Sequence, residues 1–179
     1  LMVATSFYHA KVSTLGGQPD HYKEWKTTNL FTNDQVAEWT GKDDPEDWKP
    51  QEVLTAGLLN PLALLDVFRD FILFKTEEGR LIKMAPRYQQ FRATHEAVNR
   101  LKNGKKKGDS SRGMDERGGV VWHTQGSGKS ITMVYIVRKM RRIRELCGYK
   151  VVVVTDRTDL EDQLRETAEL SGQTVRPSA

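Results

Sequence analysis

Cysteine is nearly missing from this 179-residue chain, Cys147 being the single one. That excludes a disulfide framework and any Cys-rich zinc site, and makes a reducing cytoplasm the natural setting. Long apolar runs are missing too: none approaches the roughly 18 residues of a membrane span. The N-terminus has no signal-peptide layout, so the expectation is a soluble protein without membrane partners. Charge of one sign is not in large excess either. The 28 Lys and Arg against 24 Asp and Glu leave a net +4, which permits nucleic-acid binding without establishing it. An initial Met is also absent, and the chain stops soon after an expected strand and helix; it reads as a piece of a larger polypeptide.

What is present is unevenly spread. Between Asp34 and Lys49 there are six acidic and two basic residues, and between Arg87 and Lys107 seven basic and one acidic. Positive charge gathers towards Gly118–Ser130, the stretch that organises the chain. There an apolar run reads as a buried strand, a Gly-containing turn follows, and helical spacing begins at Ser130. Gly126 and Gly128 lack side chains, so the backbone can wrap a phosphate and point N–H groups at its oxygens, aided by the positive end of the next helix. Lys129 then reaches the β and γ phosphates of ATP, and the Ser130 hydroxyl ligates the bridging Mg²⁺. His123 stands where the strict phosphate-loop pattern wants Gly, although the groups that touch phosphate remain.

In chain order, residues 1–6 and 8–14 read as strands, followed by a Gly16-Gly17 turn. Pro19-Asp20 with Glu24-Trp25-Lys26 imitates the carboxylates and lysine of metal-dependent nucleases. Three intervening residues are too few to place the carboxylates on neighbouring strands, so a turn packed by Trp25 is expected. Asp47-Trp48-Lys49 is a second imitation. Residues 31–50 read as a polar connection with one short helix, and residues 51–59 have helical spacing. Asn60-Pro61 restarts a helix as cap and first turn, with Leu62, Leu64, Leu65, Val67, Phe68, Phe71 and Ile72 as its buried side. Residues 71–75 and 80–84 read as a hairpin.

A helix from Arg87 follows, with Tyr88, Phe91, His95, Val98 and Leu101 on one face; His95 reads as a core-edge residue. Residues 102–112 form an expected mobile loop, either merely solvated or facing DNA. Beyond the phosphate loop a helix is expected over 131–147, stopped by Gly148. Residues 150–155 read as a strand of a parallel sheet covered on both faces, and Thr158 or Asp159 caps another helix. The order strand, helix, strand, helix points to an open α/β sheet with its ligand at the strand ends.

Arg87-Tyr88-Gln89-Gln90, Trp122-His123-Thr124-Gln125-Gly126-Ser127-Gly128-Lys129-Ser130 and Val151–Leu160 together resemble the restriction (R) subunit of type I restriction–modification enzymes, a superfamily 2 helicase-like DNA translocase fused to a nuclease. The resemblance is strong from about Arg87 to Leu164. It implies an ATP-hydrolysing, site-specific deoxyribonuclease that moves double-stranded DNA past methylation and specificity subunits. It also implies a division into residues 1–30, the C-terminal part of a nuclease-type domain; 31–86, an α+β connection; and 87–179, part of a RecA-like motor lobe. Gln90 would match the glutamine that reads adenine, and Thr124, Gln125, Gly126, Ser127, Gly128, Lys129 and Ser130 the ATP and Mg²⁺ site. Thr155, Arg157 and Thr158 would lie near the DNA backbone. The alternatives are a surface helix residue for Gln90 and a salt bridge for Arg157. The catalytic groups, meaning the motor's Mg²⁺-binding acidic motif and the nuclease carboxylates, are expected outside this stretch. Asp115-Glu116 precedes the phosphate strand and cannot replace the acidic motif. Two other readings stay open: another superfamily 2 remodelling ATPase, or a nucleotide- or DNA-binding module without catalysis.

Overall fold

The computed structural model describes residues 1–77, 79–111, 113–155 and 165–169. The chain divides into two compact units, Leu1–Arg92 and Ala93–Ala179.

The first unit begins with an antiparallel meander of β1 (Met2–Thr5), β2 (Ala10–Ser13) and β3 (Lys23–Glu24). Met2 pairs with Ser13 and Thr5 with Ala10, while Lys11 lies opposite Glu24. Alternation turns Ala10 and Val12 inward, where both are buried together with Trp25. Helix α1 (Asn33–Thr40) starts at a reciprocal cap: Thr32 Oγ1 accepts the Gln35 N–H, and Gln35 Oε1 accepts the Thr32 N–H. It ends on Gly41 in the left-handed region, φ 70°.

Helix α2 (Pro50–Leu54) runs into a π-helical turn, Thr55–Leu59, and α3 (Pro61–Asp66) into another, Val67–Phe71. Asn60 Oδ1 accepts the Leu62 N–H at 3.1 Å, so Asn60-Pro61 starts α3 as the sequence indicates. The buried side of α3 follows the expectation at Val67, Phe71 and Ile72 and departs from it at Leu62, Leu65 and Phe68. Ala63, Val67 and Phe71 are fully buried, whereas Leu62, Leu65 and Phe68 are exposed. Steps of four residues put the first three on one face, and a single helix cannot turn both sets inward. The hairpin is β4 (Leu73–Glu77) with β5 (Arg80–Met84); Phe71 falls in the preceding turn rather than in the strand. Thr14 Oγ1 donates to the Lys83 carbonyl at 2.7 Å, joining hairpin to meander. The core closes on Phe91, whose ring lies 5.2 Å from Trp25 and 4.9 Å from Phe71.

At the start of α2, Glu52 accepts the Lys49 N–H at 2.7 Å and receives the Lys42 ammonium at 2.7 Å. Lys42 first, then the Lys49 amide, holds its carboxyl below the usual range. A depressed acid contributes fully above its ordinary pKa, and its contribution disappears as pH falls through the lowered one. Glu52→Gln is therefore expected to weaken this turn by about 1 kcal/mol, after discounting for its part exposure. Amide exchange over residues 49–54, read by mass spectrometry on the full-length protein, should be roughly fivefold faster in the variant. At neutral pH the difference should be full, and in acid it should shrink.

In the second unit, α4 (Tyr88–Asn103, begun in the first) and α5 (Lys129–Arg142) supply Val98, Leu101, Ile136 and Met140, which pack with Ile143 and Leu146. Helix α5 stops earlier than the expected Cys147. Ile143 turns to extended backbone, and the Arg141 guanidinium donates to the Cys147 and Tyr149 carbonyls at 2.7 and 2.8 Å. The loop after α4 is closed at its base, where the Glu116 N–H donates to the Lys105 carbonyl and Glu116 accepts the Ser110 hydroxyl.

The expected parallel sheet is not formed among the described residues, whose sheets are the antiparallel meander and hairpin. Residues 118–124 and 150–155 make no ladder, and Val120, Trp122, Val152 and Val154 are exposed. A strand exists through its neighbours; an apolar run with none beside it leaves its amides to water whatever its composition. The start of the helix expected from Thr158 or Asp159 lies outside the described residues, and residues 165–169 are helical.

Candidate functional site

The turn from His123 to Ser130 is built around one carbonyl. Thr124 O accepts the Ser127 N–H at 3.3 Å, the Ser127 hydroxyl at 2.7 Å and the Lys129 ammonium at 3.1 Å. The same ammonium donates to the His123 carbonyl at 3.0 Å. Gly126 and Gly128 have φ of 74° and 80°, a region other residues enter only at a cost. Gly128 then accepts the Thr132 N–H and opens α5, so Lys129 and Ser130 are its first two residues. An ammonium group carries three N–H donors, and two are used here. The remaining donor and the positive end of a 14-residue helix converge on one short stretch.

A triphosphate with Mg²⁺ fits this donor set. The two left-handed glycines keep side chains out of the turn, Lys129 supplies a fixed positive charge, and Ser130 a hydroxyl oxygen for the metal. Ser127 is buried, whereas Thr124 and Gln125 are exposed at the rim. His123, where the strict pattern wants Gly, takes part through its backbone. Its carbonyl anchors Lys129, and its ring Nδ1 is buried without a hydrogen-bond partner among the described residues. No side chain at this position signals the role, because a backbone carbonyl does the work and any residue supplies one.

The structure thus brings Thr124 through Ser130 together. Gln90 belongs to the first unit and is 3% exposed, so it is no surface helix residue. Its Oε1 accepts the Arg87 N–H at 2.9 Å at the start of α4. Thr155 is half-buried, and Arg157 and Thr158 lie outside the described residues. Asp115 is held by Arg117, whose guanidinium and backbone amide pull its carboxyl down to about 2. With Glu116 closing the loop base, both carboxylates of that pair already have structural partners.

In the first unit, Trp25 packs as expected and its indole N–H donates to the Thr27 carbonyl. Asp20 sits in a short 3-10 turn, Pro19–His21, beside His21. Glu24 ends β3 between the Lys26 ammonium at 2.5 Å and His9 Nδ1 at 3.3 Å. Lys26, and then His9, keep its carboxyl below the usual range. Among the described residues no three His, Cys, Asp or Glu side chains are grouped to hold a metal ion, and no helix is long and apolar enough to cross a membrane.

The SWI2/SNF2 ATPase family matches over residues 89–179, half of the chain. The type I restriction enzyme HindI endonuclease subunit of Haemophilus influenzae is 43% identical over 116 residues, covering 64% of this chain and 10% of that protein. A provisionally named type I restriction enzyme endonuclease subunit, MjaIXP, of Methanocaldococcus jannaschii is 34% identical over 113 residues, covering 63% and 10%. The chain therefore spans about a tenth of the length of these curated relatives. No solved structure gives a significant match.

Proposed function

This chain belongs to the SWI2/SNF2 ATPase family and fits a piece of a type I restriction enzyme endonuclease subunit, and on that premise we propose that it carries the ATP-binding loop of a cytoplasmic motor that moves double-stranded DNA. The parent protein is then an ATP-dependent, site-specific deoxyribonuclease working with methylation and specificity subunits. In the proposed division, residues 1–30 end the nuclease-type domain, 31–86 connect, and 87–179 begin a RecA-like lobe. In the assembled protein, residues 118–122 and 150–155 pair with strands supplied elsewhere. Their exposed valines are the reason for expecting partners.

The observation that carries the reading is the Lys129 ammonium, fixed across the turn by two carbonyls at the head of a helix. Lys129 orients and neutralises the outer phosphates, Ser130 holds Mg²⁺, and the backbone of Thr124, Gln125, Gly126, Ser127 and Gly128 wraps the phosphate chain. Bound Mg²⁺ supplies charge neutralisation between the phosphates. Gln90 reads adenine, with its link to the Arg87 amide fixing its side chain; Thr155, Arg157 and Thr158 follow the DNA backbone. The acids that activate water lie outside the 179 residues.

The test is ATP hydrolysis by the full-length protein, assembled with its methylation and specificity subunits, in the presence and absence of duplex DNA. Hydrolysis should depend on duplex carrying the recognition site, and cleavage should follow. DNA-stimulated hydrolysis without cleavage would favour a remodelling ATPase, the other reading that the family description suits.

A further inference from the structure

The β1–β2 turn carries side chains that a turn does not need. Ser6 to His9 is closed by the Ser6 N–H on the His9 carbonyl at 2.7 Å, and Gln51 Nε2 donates to the Ser6 carbonyl at 3.1 Å, fixing the tip to α2. Its two middle residues are Phe7 and Tyr8, 55% and 76% exposed, in edge contact with centroids 4.9 Å apart. Small or polar residues usually fill such positions. Here two rings are held out in water on a short, anchored turn.

Beside the tip lies a cavity of about 300 Å³, walled by Tyr8, Trp25, Trp48 and Pro50. Both indole N–H groups are already committed, Trp25 to the Thr27 carbonyl and Trp48 to the Lys42 carbonyl. Trp25 is 2% exposed and lies behind the wall, so the open ring surface is that of Tyr8 and the half-buried Trp48, and the polar groups at the cavity are His9, Glu24 and Lys26. Around that one carboxylate stand Lys26, Lys11 opposite it in the sheet, and His9. Lys49 Nζ lies 4.4 Å from the Phe7 ring centroid. A site with ring surface from Tyr8 and Trp48, a Lys26–Glu24 pair in its wall, and Lys11 and Lys49 outside it suits a base joined to a phosphate. Its volume sits at the small end for ligand sites, enough for one such unit. Duplex DNA keeps its bases stacked inside and cannot offer one.

We propose that the β1–β2 tip and this cavity bind one nucleotide of single-stranded DNA, its base stacked on Tyr8 and its phosphate met by Lys26 and Lys49. The choice of DNA rests on the DNA-motor reading above; the stacking site itself rests on the cavity.

The test uses full-length protein and a thymidine oligonucleotide carrying one 5-iodouracil, crosslinked by light and mapped by peptide mass spectrometry. Crosslinks are expected on the peptides containing Phe7-Tyr8 or Trp48. Tyr8→Ala should lower that yield roughly tenfold, the scale of one lost stacking contact, while Tyr8→Phe keeps it. Lys26→Ala should reduce the salt dependence of binding by about 0.7 in log–log slope, as for one phosphate contact on a single strand. Crosslinks confined to other peptides, an equal yield from Tyr8→Ala, or an equal yield with the iodouracil in a duplex would overturn the proposal. An equal or higher yield with a uridine RNA oligonucleotide of the same length, carrying one 5-iodouracil, would overturn its commitment to DNA. Duplex-stimulated ATP hydrolysis, measured alongside, reports separately on the motor reading.

Discussion

Full-length protein carrying Lys129→Ala is expected to lose ATP hydrolysis by roughly 10²–10³-fold, the scale for removing one preorganised donor to developing charge. The ammonium is held before any phosphate arrives, because the His123 and Thr124 carbonyls fix it at 3.0 and 3.1 Å. Little ordering is then left to do at the moment of reaction. Lys129→Arg should fail almost as badly, since a planar guanidinium fork does not place its donors as a compact ammonium does. The objection that alanine merely loosens the turn has an answer in the Thr124 carbonyl, which keeps the Ser127 N–H and hydroxyl without Lys129. Lys129→Met preserves chain length and apolar packing, so it should match alanine if charge is the cause. Turnover of any of these variants within threefold of wild type would remove the phosphate-loop assignment. The isolated 179-residue chain, tested in the same assay, should turn over no faster than its own Lys129→Ala variant.

Local chemistry was legible where neighbours in sequence do the work. The Asn60 cap, the Pro61 start and the Gly126-Ser127-Gly128-Lys129 turn all form through groups within a few residues of one another. The same holds for the β1–β2 pairing, in which β2 turns Ala10 and Val12 inward while β1 is exposed along its length. Where partners come from afar, the residues mislead. Val151–Val154 has the composition of a buried strand and stays unpaired among the described residues, because composition cannot supply a neighbour. Leucines 62 and 65 look like core and are exposed, since Ala63, Val67 and Phe71 occupy the inward face of α3. The role of His123 was hidden for another reason: a carbonyl carries no mark in sequence.

Gly57→Ala is expected to be the most damaging single methyl in the first unit. Gly57 lies buried in the π-helical turn Thr55–Leu59, directly against the backbone at Thr27. A Cβ there would run into the Thr27 carbonyl oxygen, and come within 2.9 Å of its carbon and 3.1 Å of Thr28 Cα. Flexible side chains can move aside from such a contact; a peptide group cannot. This peptide is further tied down, because the same carbonyl accepts the Trp25 indole N–H at 2.8 Å. Displacing it would pull on Trp25, which is 2% exposed and packed on Phe91. Overpacking usually costs 1–3 kcal/mol, and a clash with fixed backbone belongs at or above the upper end, about 3 kcal/mol. Ala56, next to Gly57 and also buried, provides the contrast: Ala56→Gly removes a methyl without a clash and should cost about 1 kcal/mol through helix propensity. The measurement is limited proteolysis of the full-length protein, following fragments from the first unit. Cleavage within residues 23–60 should be fastest in Gly57→Ala, intermediate in Ala56→Gly and slowest in wild type. If Gly57→Ala resists protease as wild type does, the close packing of the Thr55–Leu59 turn on Thr27 is wrong, and with it the placement of Trp25 against the core.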